Sequence, residues 1–478
     1  MLLDAYPFHS VLGRMRTSAT TSRAVSTFIS FLENRYGIHF LYEAARFPFG
    51  PELEDVDHIA SILERSGIIR AITEVSPMCD EPPLIKWGAQ CATSHPETSG
   101  GLSFSNKRSA ILAALAEALE RYLWLETDDY AGKQRLAKVG DIQEGAIVPS
   151  RFVGYLSQQQ KDDPRINTED DLAYLWIDSY SWTTRSLRPV PAQVIGARFA
   201  RHVYKKEPLI RPSITTGLAT WPTRTGAVLR GALEIIERDA FMIMWLNQLS
   251  LPVVPAQAMY GTHAELNGLL NACAQYRLEV NFVQLLTDAP AHVVCAVVKD
   301  ESDEGPPITI GMKAGRTFAE CAEGALLEAL RARTNARSRQ KTQPLDPNIK
   351  PSDISQTQRV AYWAQKGRHA KLAFLTEGKR IVPPTDMPWE SDNDDDLLQR
   401  IVSWCSESGY EIASVSLSSS KRNPLPWHVE MVVIPELQPM HQDERRPCIG
   451  GIRIREIPER FGFSPLPHPY TSEPHPFV

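Results

Sequence analysis

The sequence predicts an α+β protein in which helix and strand units repeat and mixed or antiparallel sheets pack against helices. Three observations carry this reading. Long apolar helical stretches recur, as SNKRSAILAALAEALERYLWLE, RTGAVLRGALEIIERDAFMIMWLNQL and FAECAEGALLEALRARTNARSRQ. Short runs rich in β-branched and apolar residues, bounded by proline or acidic turns, separate them. One order of elements, helix–strand–turn–strand, occurs twice, in 264–298 and in 395–437, as if one supersecondary unit were used twice.

Taken in order, SGIIRAITEV near residue 70 reads as a short apolar run, and SPMCDEPPLIKW as an exit from the first part of the chain. The amphipathic stretch SRAVSTFISFLENRYG before it reads as a helix. Two glycine turns, SGGLS at 99–103 and TTGLA at 215–219, each precede a long helix and suit backbone contact with phosphate. RLEVNFVQLLTDAPAHVVCAVVKD and PITIGMKAG are strands joined by solvated loops. Residues 340–360 and 381–396 are polar, proline-rich or acidic, hence surface loops. The tail GFSPLPHPYTSEPHPFV has prolines at 465, 467, 469, 474 and 476, a density that forbids helix or central strand and leaves it extended.

Composition removes whole classes of function. Hydrophobic residues at 43% and charged residues at 23% are those of a globular chain. With 51 basic and 57 acidic residues the formal net charge is −6, so no global basic surface is offered to nucleic acid or anionic lipid. The longest uncharged stretch, 240–263, holds Asn247, Gln248, Pro252 and Pro255 and cannot span a bilayer. The N-terminus carries Asp4 and no apolar signal core, so a cytoplasmic location is expected. Seven scattered cysteines without a C-x-x-C pair fit reduced thiols rather than a disulfide scaffold or zinc site, and Cys91 with His95 is read as chance.

Chemistry concentrates on the helices. The first carries Glu117, Glu120 and Arg121, the second Glu234, Glu237 and Arg238. At about 100° per residue, positions i, i+3 and i+4 share one face. Between Ser109 and Trp124 those three residues are the only charges, so an otherwise apolar helix carries one narrow ionic stripe. A single stripe is read first as an i, i+4 ion pair worth a few tenths of a kcal/mol. Two stripes in similar settings point further. Four carboxylates in dry surroundings repel and raise one another's pKa unless cations neutralise them, and Mg2+ does so while keeping coordination positions for phosphate. Arginines among them can hold phosphates bidentately. The third helix adds Glu328 and Arg333, where Arg331, Arg333, Arg337 and Arg339 read equally as a solvated basic face. No P-loop occurs.

These residues resemble a family. E-A-L-E-R, G-A-L-E-I-I-E-R-D-A, the intervening T-T-G-L-A, the later A-L-L-E-A-L-R-A-R and the proline-rich C-terminus look like the YcaO family, and more narrowly its stand-alone, streptolysin-type cyclodehydratases of thiazole/oxazole-modified peptide biosynthesis. The match covers roughly residues 60–478, which makes 61–478 an ATP-binding catalytic domain with a proline-rich tail and 1–60 an N-terminal extension. The resemblance implies a YcaO-like fold around a nucleotide site, ATP and Mg2+ as cofactors, and cyclodehydration of Cys, Ser or Thr in a ribosomal precursor peptide. It places Glu117, Glu120, Arg121, Glu234, Glu237, Arg238, Glu328 and Arg333 at the nucleotide, with Glu117, Glu120, Glu234 and Glu237 on the metal. It places Pro474, Pro476 and Val478 of the tail in the catalytic centre, where the family's terminal carboxylate serves as a base. It further implies an E1-like or leader-recognition partner, a flavin dehydrogenase and a homodimer, with neither nucleic acid nor membrane as partner. Two departures stand out. Ala113 and Arg230 occupy places where the family often has serine and glutamine, and the tail ends P-H-P-F-V. Thioamide or amidine formation, or a catalytically silent docking scaffold, are the other outcomes compatible with these residues.

Overall fold

A computed structural model describes residues 54–477 except 94–97, 127–133, 143–144, 170, 197–206, 303–304, 343–344, 347, 366, 392, 419–421 and 468–469. The expected helix SRAVSTFISFLENRYG lies outside the described residues, as does Val478. The chain forms two compact units, 1–62 and 63–478.

Helix α1 (Glu54–Arg65) is followed by an antiparallel three-stranded sheet, β1 (Ile69–Val75), β2 (Ile85–Cys91) and β3 (Thr98–Ser103), and by α2 (Lys107–Glu126). A six-stranded sheet is drawn from distant parts of the chain: β4 (Arg135–Lys138), β5 (Ala173–Ser181) with β6 (Ser186–Pro191) on its side, β7 (Leu218–Trp221), β12 (Ala413–Ser416) and β13 (His428–Val433). The short α3 (Ser157–Asp162) and the long α4 (Arg224–Asn247) lie between its strands in sequence. The third sheet runs β11 (Ile308–Gly315), β10 (His292–Asp300), β9 (Leu278–Gln284), β8 (Val253–Pro255) in space, with α5 (Ala264–Gln275) before β9 and α6 (Phe318–Thr342) after β11. Helices α7 (Arg359–Trp363), α8 (Asp394–Glu407) and α9 (Arg453–Arg460) complete the set. Every strand ladder among the described residues is antiparallel.

The expected repeat is present: α5–β9–β10 and α8–β12–β13 are each a helix followed by an antiparallel strand pair, with Ala296 opposite Phe282 in one and Val415 opposite Met431 in the other. The loops at 345–358 and 381–391 contain no strand, and the tail after α9 is extended among its described residues. The described residues form three sheets, and one expectation needs correction. SGGLS is not a turn but part of β3, paired through Gly101 with Trp87. Glycine serves close approach there instead: a Cβ on Gly101 would overlap the carbonyl oxygen of Ala110 and come within 2.7 Å of Ala114 N, so α2 lies directly on the strand backbone. TTGLA does turn, with Gly217 at φ +95°, a region open to glycine at little cost.

Helix α4 is the centre of the larger unit. Its apolar residues from Val228 to Leu246 are almost all buried, and it packs against β7, β13, β11, α8 and α9. Thr223 caps it by accepting from Gly226 N. Asp239, inside this core, is matched by Arg453 of α9 at 2.7 Å, and Arg453 also reaches Asp288 at 2.8 Å. Such a charge is tolerable in an apolar core only with a partner of this kind.

Candidate nucleotide and metal site

Three strand–helix pairs share one local device. The backbone N–H of Gly100 in β3 donates to Glu117 Oε2 in α2 (2.8 Å). That of Gly217, just before β7, donates to Glu234 Oε2 in α4 (3.0 Å), and that of Met312 in β11 to Glu328 Oε2 in α6 (2.7 Å). The separations along the chain are 17, 17 and 16 residues. Glycines make the reach possible: on Gly311, as on Gly101, a Cβ would run into the backbone of the following helix. Each glutamate thus has Oε2 fixed on its strand or just before it, and Oε1 on an arginine three or four residues further along its own helix.

The second glutamate of each stripe points across to the next pair. Ala314 N of β11 donates to Glu237 Oε2 of α4 (2.7 Å), and the Thr220 hydroxyl of β7 lies beside Glu120 of α2. Arg121 pairs with Glu117 at 3.5 Å, and Arg238 pairs with Glu237 and, at 3.4 Å, with Glu234. The fields of these groups overlap. Burial pushes the Glu120 carboxyl well above the usual carboxylate range, repulsion from Glu117 and Glu234 adds to it, and Arg121 opposes. Burial likewise raises Glu237, with repulsion from Glu328 and Glu234 against the pull of Arg238 and Lys313. Burial alone would lower Arg238, but Glu237, Glu234 and Glu328 hold its charge and raise its pKa. Seven of the eight expected nucleotide residues therefore meet in one electrostatic cluster.

The chemistry of this donor set fits a hard divalent cation. It offers carboxylate oxygens without thiol or imidazole, and burial, with repulsion from neighbouring acids, raises Glu120 and Glu237, a cost that a divalent ion relieves. Glu117, Glu120, Glu234 and Glu237 are carboxylates that could hold such an ion, and Arg121 and Arg238 are paired with three of them.

Arg333 is the exception. It lies five residues beyond Glu328, about 140° round the helix, and is buried against Glu81 (3.1 Å) and Asp300 (2.8 Å), with Arg337 on the other oxygen of Glu81 at 2.6 Å. It ties the β1–β2 loop to the end of β10 and does not join the cluster. The solvated basic face is no better a description, since Arg333 is 3% exposed. Arg331, three residues after Glu328 where the other helices carry glutamate, bonds Glu328 at 3.2 Å. The sequence placed Arg331 only in a basic face and did not single out Lys313, the lone charge of β11, whose field reaches Glu237. A single lysine in ITIGMKAG was the available signal. Arg230, in place of the family's glutamine, bonds Asp394 at 2.9 Å and stacks on Trp221, its guanidinium 3.2 Å from the ring centre. The glycine of TTGLA supplies its N–H to Glu234, an acceptor already in the protein, rather than standing ready for phosphate.

The tail reaches the same place. Pro474 O accepts from Trp363 Nε1 (2.9 Å), Pro476 follows, and the Phe477 ring lies 4.2 Å from the Arg238 guanidinium. The six cysteines other than Cys79 are buried, and burial raises the thiols of Cys273, to about 12, and Cys448, to about 11. Buried, weakly acidic thiols of this kind are poor nucleophiles.

The profile of the YcaO cyclodehydratase family, ATP- and Mg2+-binding, matches residues 104–438. The chain belongs to the YcaO family, and ATP and Mg2+ are its cofactors. Comparison with curated protein sequences finds no match. Among solved structures it is similar to a heterocyclase in complex with substrate and cofactor (TM-score 0.69, 16% identity, 88% of this chain and 57% of that one). It is also similar to YcaO from Methanopyrus kandleri bound with AMPPCP and Mg2+ (0.60, 18%, 83% and 92%). A third is the E. coli microcin synthetase McbBCD complex (0.55, 11%, 76% and 87%). The chain thus spans little more than half the length of the heterocyclase. No helix among the described residues is long and apolar enough to cross a membrane.

Proposed function

We propose that this chain catalyses ATP-dependent cyclodehydration of Cys, Ser or Thr in a ribosomal precursor peptide, giving thiazoline or oxazoline. The observation that carries the reading is the convergence of Glu117, Glu120, Glu234, Glu237 and Glu328 with Arg238, beneath a proline-rich tail. An amide oxygen is a very poor leaving group, and bound MgATP supplies the phosphoryl group that makes it a good one. The protein's part is to position and to exclude water. The paired glutamates hold the metal, with Glu117, Glu234 and Glu237 each fixed by a backbone N–H and Glu120 beside the Thr220 hydroxyl. Arg121 and Arg238 neutralise phosphate charge in surroundings where such contacts are strong. Pro474, Pro476 and Val478 serve the reacting amide. The side chain of the peptide's Cys, Ser or Thr loses its proton and attacks the preceding carbonyl carbon, and the former carbonyl oxygen would then depart as phosphate while the amide nitrogen gives up its proton and forms the C=N bond of the ring.

The similarity to a heterocyclase in complex with substrate supports a peptide substrate. The microcin synthetase complex supports work in an assembly; the E1-like or leader-recognition protein, the flavin dehydrogenase and the homodimer are carried over from the family resemblance alone. The test is phosphate release by the chain with its precursor and partner, followed by mass spectrometry of the peptide. Loss of one water per ring is expected. Exchange of oxygen for sulfur, or ATP turnover without a change in the peptide, would overturn the reading.

A further inference from the structure

The tail climbs α4 one turn at a time. Leu466 N donates to Asn247 Oδ1 (2.9 Å) and Gln248 Nε2 to Thr471 Oγ1 (3.1 Å) at the helix end. Trp245 Nε1 donates to Glu473 O (3.4 Å), the ring of Phe241 meets those of His475 and Phe477, and Phe477 then lies on Arg238. The partners on α4 therefore run 248, 245, 241, 238, and the next turn holds Glu234. A strap of this path needs fixing sideways as well as lengthways. One side chain of the tail does so twice: Glu473 accepts from Tyr362 Oη at 2.8 Å on Oε2 and pairs with Lys371 on Oε1. Burial and Glu473 together hold the Tyr362 hydroxyl up to about 12, so it stays a donor. Trp363 takes Pro474 O, the next carbonyl.

Beyond Glu473 the contacts are of a different kind. His441, Glu444 and His475 bring a donor atom each within 4.8 Å of one another, a set that could suggest a metal. Most of their atoms are already committed, Glu444 to Arg359 (2.7 Å) and His441 Nε2 (3.0 Å), and His475 Nε2 to His441 O (2.8 Å), while Nδ1 of each histidine makes no hydrogen bond. Arg359 and Arg238 also make the field at His475 positive. This is a polar seat for a neutral imidazole, and it orders the strap only if the strap arrives in register.

We propose that Glu473, clamped by Tyr362 and Lys371, is the positioning residue that sets the register of the tail and so presents its last residues to the Arg238–Glu237–Glu234 cluster. This rests on the nucleotide reading above for its catalytic consequence, but the seating of the tail is independent of it.

The experiment uses the full chain and Glu473→Ala, Glu473→Gln and Tyr362→Phe. Hydrogen–deuterium exchange of the 470–477 segment reports seating, calorimetry with Mg·AMPPNP reports nucleotide affinity, and basal phosphate release from ATP gives kcat and KM. Glu473→Ala is expected to speed exchange of the segment at least about tenfold and to lower kcat at least about tenfold, with Mg·AMPPNP affinity within about twofold of the wild type. Glu473→Gln keeps the acceptor for Tyr362 and loses the ion pair, so it falls between. Unchanged exchange in Glu473→Ala overturns the clamp. Faster exchange with kcat unchanged overturns the positioning role. Absence of Mg·AMPPNP binding by the wild type would instead sink the nucleotide reading, with exchange still deciding the clamp.

Discussion

Gly101→Ala tests whether the strand backbone really sets the metal ligands. A Cβ at this position comes within 2.7 Å of Ala110 C and of Ala114 N and overlaps Ala110 O, whereas ordinary contact begins at 3.4 Å. Helix α2 must therefore retreat from β3 by at least about 0.7 Å, and by more to clear the oxygen. Overpacking of this size costs about 1–3 kcal/mol of stability. The functional cost comes on top of this. The Gly100–Glu117 hydrogen bond, 2.8 Å long, is stretched towards the limit of a hydrogen bond, and Glu117 and Glu120 move together because they ride on the same helix. A displacement near 1 Å in a catalytic constellation costs on the order of 10²-fold in rate.

The assay is a pair of titrations, Mg·AMPPNP by calorimetry and phosphate release at saturating ATP, with thermal unfolding as the check on folding. Gly100→Ala is the control, since its Cβ would meet only Trp87 O, at 4.0 Å. Gly101→Ala should lose nucleotide affinity and rate while Gly100→Ala stays near the wild type. Equal behaviour of the two, or a Gly101→Ala chain as active as the wild type, would show that the strand does not position Glu117.

The other expectations are briefer. Arg333→Met leaves Glu81 and Asp300 buried without that guanidinium and should cost about 3 kcal/mol or more in thermal or denaturant unfolding, with Mg·AMPPNP affinity unchanged; lost affinity at unchanged stability would return Arg333 to the nucleotide. Glu328→Gln keeps an oxygen for Met312 N but removes a charge, so Mg·AMPPNP should bind about tenfold more weakly while unfolding barely shifts, and equal affinity would detach the third helix from the site. Burial, Arg359 and His441 hold His475 well below its usual 6.5. Protons then bind the unfolded chain first, so stability from this group is complete above pH 6.5 and is lost as the pH falls below it. Unfolding midpoints between pH 7.5 and 5 should drop more steeply for the wild type than for His475→Phe, and parallel curves would refute the neutral seat.

How much of this was legible in the sequence follows from the range of the forces involved. Glu117 with Glu120 and Glu234 with Glu237 could be read because helical periodicity is local: three and four residues fix a face whatever the chain does elsewhere. Arg333 could not, because its partners Glu81 and Asp300 lie 252 and 33 residues away, and a buried ion pair of that separation leaves no pattern. SGGLS was misread for a related reason. Glycine marks either a turn or a close approach, and only the packing of Ala110 and Ala114 on the strand decides between them. The same packing explains why the site can exist at all. In β3–α2, at the β7–α4 junction and in β11–α6 a strand or pre-strand N–H holds the first glutamate of a stripe, so three copies of one device aim carboxylates inward without any loop to order. Only the third copy breaks the pattern, with Arg331 where a second glutamate would stand. Charge balance fits this break: the Arg331 guanidinium offsets Glu328, whose charge already acts on the buried carboxyl of Glu237.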